Sequence, residues 1–234
     1  MLNNKLWTAT VLAAALLLHG CASQVYNKEA LSQPNNRFAI VSFGGFTSGL
    51  GMDQEADTKM ITGLDDIVYQ ELSRSKHFNL VRPATVKSAK SYAQIKGEPT
   101  EGMYTMKVAK GYKKFDPKKE ADAVRKLMDE LKLSGIIQVY AIYTKKERSM
   151  FVSGLLPLPV SGGLANGHVN YTVVAYNNKG EVIWQDNVES TTRDGTVLVM
   201  GIANVAKLYP QLVDITQEAS RLALKNLDEK VGKN

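Results

Sequence analysis

Cys21 is the only cysteine of the chain, and His19, His77 and His168 are its only histidines. Those counts narrow the possible chemistry at once. A single thiol forms no intramolecular disulfide. No His-Glu-x-x-His run, no cluster with metal-ligand spacing and no Gly-x-Ser-x-Gly elbow occurs. His77 precedes Phe78 at a helix-to-strand junction, where an exposed or helix-capping imidazole is the ordinary outcome. His168 opens a strand, and neither histidine has neighbours that tune an imidazole for acid–base work. Asp65 and Asp66 are adjacent within a helical pattern, so their carboxylates diverge, and a solvated helix face accounts for them. Gly44-Gly45-Phe46-Thr47-Ser48-Gly49-Leu50-Gly51 lies between a strand and a helix, where phosphate loops occur. It lacks the Lys-Ser/Thr of such loops, Gln54 stands where a third glycine belongs, and acids near Asp53–Glu55 repel an anion. It reads as a flexible loop. The expectation is a chain that is not an enzyme, with no catalytic residue, no cofactor and no metal.

One stretch does carry chemistry. Lys5 supplies a short positive segment, and Leu6–Leu18 is an uncharged, mostly apolar run. That run is short for a hydrocarbon core of roughly 30 Å, which takes about 20 residues to cross. It ends in Leu18-His19-Gly20-Cys21, which resembles the lipobox of bacterial lipoproteins, Leu-x-Gly-Cys. The resemblance implies cleavage between Gly20 and Cys21 and a thioether from Cys21 to diacylglycerol, with the new N-terminus acylated as well. One acyl chain binds a membrane only marginally, whereas two or more anchor stably. Residue 22 is Ala; in Gram-negative lipoproteins an Asp there favours the inner membrane, so its absence points to the outer membrane, on the periplasmic face. Residues 1–20 are then a signal peptide and no part of the fold.

Losing Lys5 lowers the 29 basic residues by one against 23 acidic ones, so the net charge falls from +6 to +5. The charges are scattered, with short runs at Lys113-Lys114, Lys118-Lys119 and Lys145-Lys146. Solvated faces explain them, and no nucleic-acid partner is expected. Acidic envelope polymers and anionic head groups stay open as weak partners.

Residues 21–36 are polar, lack an apolar period and close on Pro34-Asn35-Asn36, which reads as a flexible tether. Residues 37–234 then form one domain. Phe38–Phe43 is a β-rich run. Met60, Leu64, Val68 and Leu72 form a helical stripe within Glu55–Ser75, and Phe78–Val81 is a second strand. Strand, helix, strand implies a parallel crossover. Ala84–Ile95 is expected to be helical and Gly97–Gly111 irregular. Asp116-Pro117 opens a helix carrying Ala121, Val124, Leu127, Met128 and Leu131 on one face. Ile136–Tyr143, Val169–Tyr176 and Glu181–Ser190 are strands, the last two joined through Asn177-Asn178-Lys179-Gly180 as a hairpin. A final helix runs over Pro210–Asp228. The order β-α-β-α-α-β-β-β-α implies an α/β fold, a single mixed sheet with helices packed on it.

Ser149–Gly167 contains no charged residue and includes Phe151, Leu155, Leu156, Leu158 and Val160; Gly195–Ala206 is likewise uncharged and includes Val197, Leu198, Val199 and Met200. The hairpin topology puts both stretches at one pole of the sheet. They either form an exposed patch that contacts a partner or a membrane, or fold back over the end of the core.

Phe38–Phe43, Glu55–Ser75 and Phe78-Asn79-Leu80-Val81-Arg82-Pro83, together with Ile136–Tyr140 and Val173–Trp184, resemble a group of envelope lipoproteins. The group includes the curli secretion lipoprotein and the lipoprotein activators of penicillin-binding proteins. It is non-enzymatic, so the resemblance implies an adaptor or accessory factor in cell-envelope assembly with an envelope protein as partner. The curli protein forms a ring in which each member contributes a membrane-spanning hairpin. A homo-oligomer acting in secretion or assembly is therefore the alternative. Tyr143–Tyr171 is where such a hairpin would lie here, and Lys145-Lys146-Glu147-Arg148, Pro157 and Pro159 are expected to interrupt its alternation.

Overall fold

Phe38, Ala39, Ile40, Val41, Ser42 and Phe43 leave almost no surface to water, which is what a strand covered on both faces requires. The computed structural model describes residues 24–48, 54–99, 106–149, 163–192, 196–198 and 205–232. Among these, β1 is Val25–Tyr26, α1 Lys28–Leu31, β2 Arg37–Ser48, α2 Gln54–Leu72 and β3 Asn79–Val81. α3 (Pro83–Ser88), α4 (Lys90–Gln94), β4 (Lys107–Val108) and α5 (Ala121–Leu131) follow. The chain continues through β5 (Gly135–Ser149), β6 (Gly163–Asn177), β7 (Val182–Thr191), β8 (Thr196–Leu198) and α6 (Val205–Val231).

All strands belong to one mixed sheet of order β1-β7-β6-β5-β2-β3, with β4 beside β2 and β8 beside β6. β2 is parallel to both β3 and β5, and the β5–β6–β7 meander is antiparallel. The α/β architecture with a single mixed sheet and helices on it is therefore the one the sequence implied, and all nine expected elements are present. β1, α1, β4 and β8 are additions.

Helices cover both faces of the sheet. On one side Met60, Ile61, Leu64, Val68 and Leu72 of α2 and Leu212, Ile215, Ala219, Ala223 and Leu227 of α6 pack with Ile40, Phe43, Tyr143, Tyr171 and Trp184. On the other, Val86, Tyr92, Val124, Leu127 and Met128 cover Ala39, Val41 and Ile136. Each fully buried Leu, Val or Ile contributes about 1.5–3 kcal/mol. A bulge between Ile40 and Ser42 shifts the parity of β2, so that Phe43 rejoins the face of Ile40.

Several expectations are corrected. Gln24–Asn36 is no free tether: β1 pairs with β7, Leu31 is buried and Asn36 donates to the carbonyls of Ala30 and His77. Gly44–Ser48 is not a flexible loop but the end of β2. A Cβ on Gly44 would come within 2.7 Å of the Lys107 carbonyl, and one on Gly45 would collide with the Ala141 carbonyl. These glycines serve close strand approach, which in sequence looks the same as loop flexibility. β5 runs past its expected end at Tyr143, through Lys145–Arg148 to Ser149 in register with β6, since backbone pairing tolerates charged side chains at a sheet's end. Ala84–Ile95 divides at Ala89, whose extended backbone separates α3 from α4. The Asp116 carboxylate accepts from the Lys118 amide in a turn ahead of α5, which starts only at Ala121; that residue is exposed. α6 begins at Val205, five residues before Pro210, which lies inside the helix.

Candidate functional site

Residues 1–23 lie outside the described residues, so Gly20 and Cys21 do too. What the structure shows is where the chain goes immediately afterwards. The Gln24 side chain donates through Nε2 to Asp186 Oδ1 at 2.8 Å, and the Asn27 amide donates to the Ile183 carbonyl at 2.8 Å. Asn226 of α6 donates to Asp186 Oδ2 at 2.8 Å, and the Asn187 amide to Oδ1 at 2.9 Å. Asp186 is 1% exposed, and these partners compensate the loss of its hydration. Burial first, then the Asp186 charge, pushes the Tyr26 phenol far above its ordinary value, so it stays neutral. Gln24 to Asn27, which begin three residues after Cys21, are thus pinned to the sheet edge.

Sequence reasoning missed this clamp, although a signal was present. In β7, Trp184, Asp186, Val188 and Ser190 alternate as buried positions while Asn187 and Glu189 are exposed. An acid at inward parity in a strand needs partners.

The pole of the sheet is the second component. β2 and β5 part after Ser48↔Thr144, and β6 and β7 part after His168↔Thr191. β5 and β6 continue together for five more pairs, Lys145↔Gly167 to Ser149↔Gly163. β8 lies beside the start of β6, with Gly163↔Leu198 and Ala165↔Thr196. The two uncharged stretches do meet at one pole, as the topology implied. Val197 and Leu198 belong to β8, while Phe151, Leu155, Leu156, Leu158, Val160, Val199 and Met200 lie outside the described residues.

Polar groups ring the base of this overhang. His168 Nδ1 sits 2.8 Å from Thr191 Oγ1, and its Nε2 sits 3.7 Å from Glu189. Burial, then the Lys146 charge, lowers the His168 pKa against an opposing pull from Glu189. A cleft of about 490 Å³ alongside is lined by Thr191, Thr192, Gln211, Glu218 and Arg221, among others.

The remaining candidates are held in structural roles. His77 Nε2 pairs with Asp228 Oδ1 at 3.0 Å across 151 positions, so it ties a turn to α6 instead of standing exposed. Asp66 is exposed but Asp65 is not. Asp65 Oδ2 accepts from Lys87 Nζ at 3.3 Å, and burial, only partly offset by Lys87, raises its pKa. The expectation of two solvated acids is corrected for Asp65, because the helix turns adjacent residues about 100° apart and only one faces α3. Among the described residues there is no group of three or more His, Cys, Asp or Glu able to hold a metal ion, and no helix long and apolar enough to cross a membrane.

No protein-family model matches the chain, and no curated protein sequence does. Some solved structures are distantly similar to it. A homolog of neuraminyllactose-binding hemagglutinin from Helicobacter pylori is 7% identical, with 85% of this chain and 86% of that one covered at a TM-score of 0.43. The LpoB C-terminal domain from Salmonella enterica is 11% identical, covering 70% and 95% at 0.32. Lipoprotein GNA1162 from Neisseria meningitidis is 10% identical, covering 77% and 94% at 0.35. Likeness at these values carries no function across, since one fold hosts many. By its own elements the chain is an α/β protein built on a single mixed sheet.

Proposed function

We propose that this chain is a lipid-anchored protein of the bacterial cell envelope, held in the outer membrane through Cys21 on the periplasmic face. There it acts as a non-enzymatic adaptor or accessory factor in envelope assembly. The observation that carries this reading is the sequence Leu18-His19-Gly20-Cys21 at the end of an uncharged apolar run, with the chain's only cysteine in last place. Acylation accounts for a lone thiol in an oxidising compartment and gives stable anchoring without a spanning helix. The adaptor role is supported by a sequence in which no catalytic motif accompanies that anchor. Fractionation tests it: the wild-type protein is expected in outer-membrane fractions and a Cys21→Ala variant outside them. A Cys21→Ala variant that stays in the outer membrane contradicts the reading.

One observation favours the alternative, a ring-forming subunit of a secretion or assembly complex. β5 and β6 pair without a break from Gly135↔Asn177 to Ser149↔Gly163, a continuous hairpin across the region where a spanning one would lie. The mass of the detergent-extracted protein separates the two readings. A discrete high-order multimer identifies the ring, and a monomer or dimer identifies the adaptor.

A further inference from the structure

We infer that the helix layer α3–α5 is a docking surface for a polyanionic chain, a polymer carrying repeated carboxylate or phosphate groups, seated along the groove between α4 and α5.

The fold sorts charges that look scattered along the sequence. Residues 82–98 and 113–132, which carry α3, α4 and α5, hold eleven basic residues against six acidic ones. α2 and α6, on the other face of the sheet, hold five against nine. The positive excess of the helical layers therefore lies on one side, and a field of one sign draws a multivalent counter-ion.

The acids of this layer are largely taken up by their own neighbours. Glu98 lies 3.6 Å from Lys114 and 3.5 Å from Lys119. Glu130 accepts from the amides of Lys90 and Ser91 at the start of α4, at 3.0 and 2.8 Å. Asp116 accepts from the Lys118 amide, and Asp122 lies 3.7 Å from Arg125. Lys118 and Lys126 are exposed, and among the described residues no ion pair joins either ammonium group to a carboxylate. With Lys119, Gln94, Glu120 and Asp122 they line a groove of about 460 Å³ between α4 and α5. Three ammonium groups there face two carboxylates, one of which Arg125 already neutralises.

Composition favours a polymer over a bilayer. A helix layer resting on lipid gains much of its hold from apolar side chains that enter the head-group region. Among the described residues the one large exposed hydrophobic is Tyr209, and it belongs to α6 on the other face. The basic layer offers charge and a groove, and a flexible chain of anions can follow a groove where a flat bilayer cannot.

The full-length protein in non-ionic detergent, mixed with fluorophore-labelled long-chain inorganic polyphosphate, supplies the test, read as anisotropy across a salt titration. Wild type is expected to bind at low salt and to lose affinity steeply as salt rises, since release of the polymer's counter-ions drives such binding. Lys118→Glu with Lys126→Glu is expected to weaken binding by about tenfold or more. Lys225→Glu with Lys230→Glu, exposed on α6 and reversing the same number of charges, should change it by less than about threefold. All four are surface positions, so the melting temperature should hold in both pairs. Equal weakening by the two pairs would show that net charge alone attracts the polymer and would overturn the inference, as would no binding at low salt. Phosphatidylglycerol added to the micelles at equal total negative charge should displace little of the polymer. Full displacement would assign the face to a membrane and overturn the inference as well.

Discussion

Gln24 and Asp186, 162 positions apart in sequence, meet in a 2.8 Å hydrogen bond at the sheet edge. Through it, the residue three places after the expected lipid attachment point is fixed to the last strand of the meander. Asp186 is held in turn by Asn226 of α6, so strand, helix and N-terminal segment share one buried carboxylate.

Gln24→Ala removes a hydrogen bond to a buried charge, worth about 2 kcal/mol. The loss should fall on β1, a two-residue strand at the edge of the sheet. Hydrogen exchange at the Asn27 amide, which donates to the Ile183 carbonyl, is expected to speed up more than tenfold with little change in global melting temperature. Unchanged exchange would show that β1 is held by something else.

Glu71 is 1% exposed and accepts from Arg221 Nε and Nη2, each at 3.0 Å, and from Gln217 at 3.2 Å. Arg74, two residues past the end of α2, lies 3.0 Å away. This network fastens α2 to α6. Glu71→Ala is expected to lower stability by about 2 kcal/mol in urea denaturation, moderated by the exposure of both arginines. Arg74→Ala should matter less, since Arg221 and Gln217 still satisfy the carboxylate.

Gly45→Ala tests the reassignment of the glycine run. If Gly44 and Gly45 lie in a loop, an added methyl is harmless. In β2 the Cβ meets the Ala141 carbonyl and the Ile61 side chain, and overpacking against backbone costs about 1–3 kcal/mol. A fall in melting temperature with retained secondary structure is expected.

His168 makes stability depend on pH. Burial and Lys146 hold its folded-state pKa below the ordinary 6.5, so between those values the unfolded chain binds the proton more readily than the folded one. Stability should rise as pH climbs from the folded value to about 6.5, and this contribution is lost as pH falls through that window. In His168→Asn the urea midpoint should vary less over the same window than in the wild type.

The layered fold was legible because its signals are local. The stripe Met60, Leu64, Val68, Leu72 needs only a helical period, and every member of it is buried. The Asn177–Gly180 turn needs only its residue types, and Gly180 indeed takes a left-handed backbone with φ of 74°. What escaped depends on distant partners. Gln24 is one polar residue among several until Asp186 is placed opposite it. Gly45 reads as a hinge until Ala141 lies alongside. Asp65 looks like Asp66 until Lys87 reaches across from α3. Of the candidate site, Cys21 was legible as a motif and the shared pole as a consequence of hairpin topology. The direction in which β1 leads back to Cys21 was not, because two-residue strands leave no periodic trace.

Intact-mass analysis of the membrane-extracted protein tests the anchor most directly. A chain starting at Cys21, heavier than its amino acids by a diacylglycerol thioether and an N-terminal acyl group, is the expected result. A full-length chain from Met1 bearing an unmodified Cys21 thiol would contradict the account.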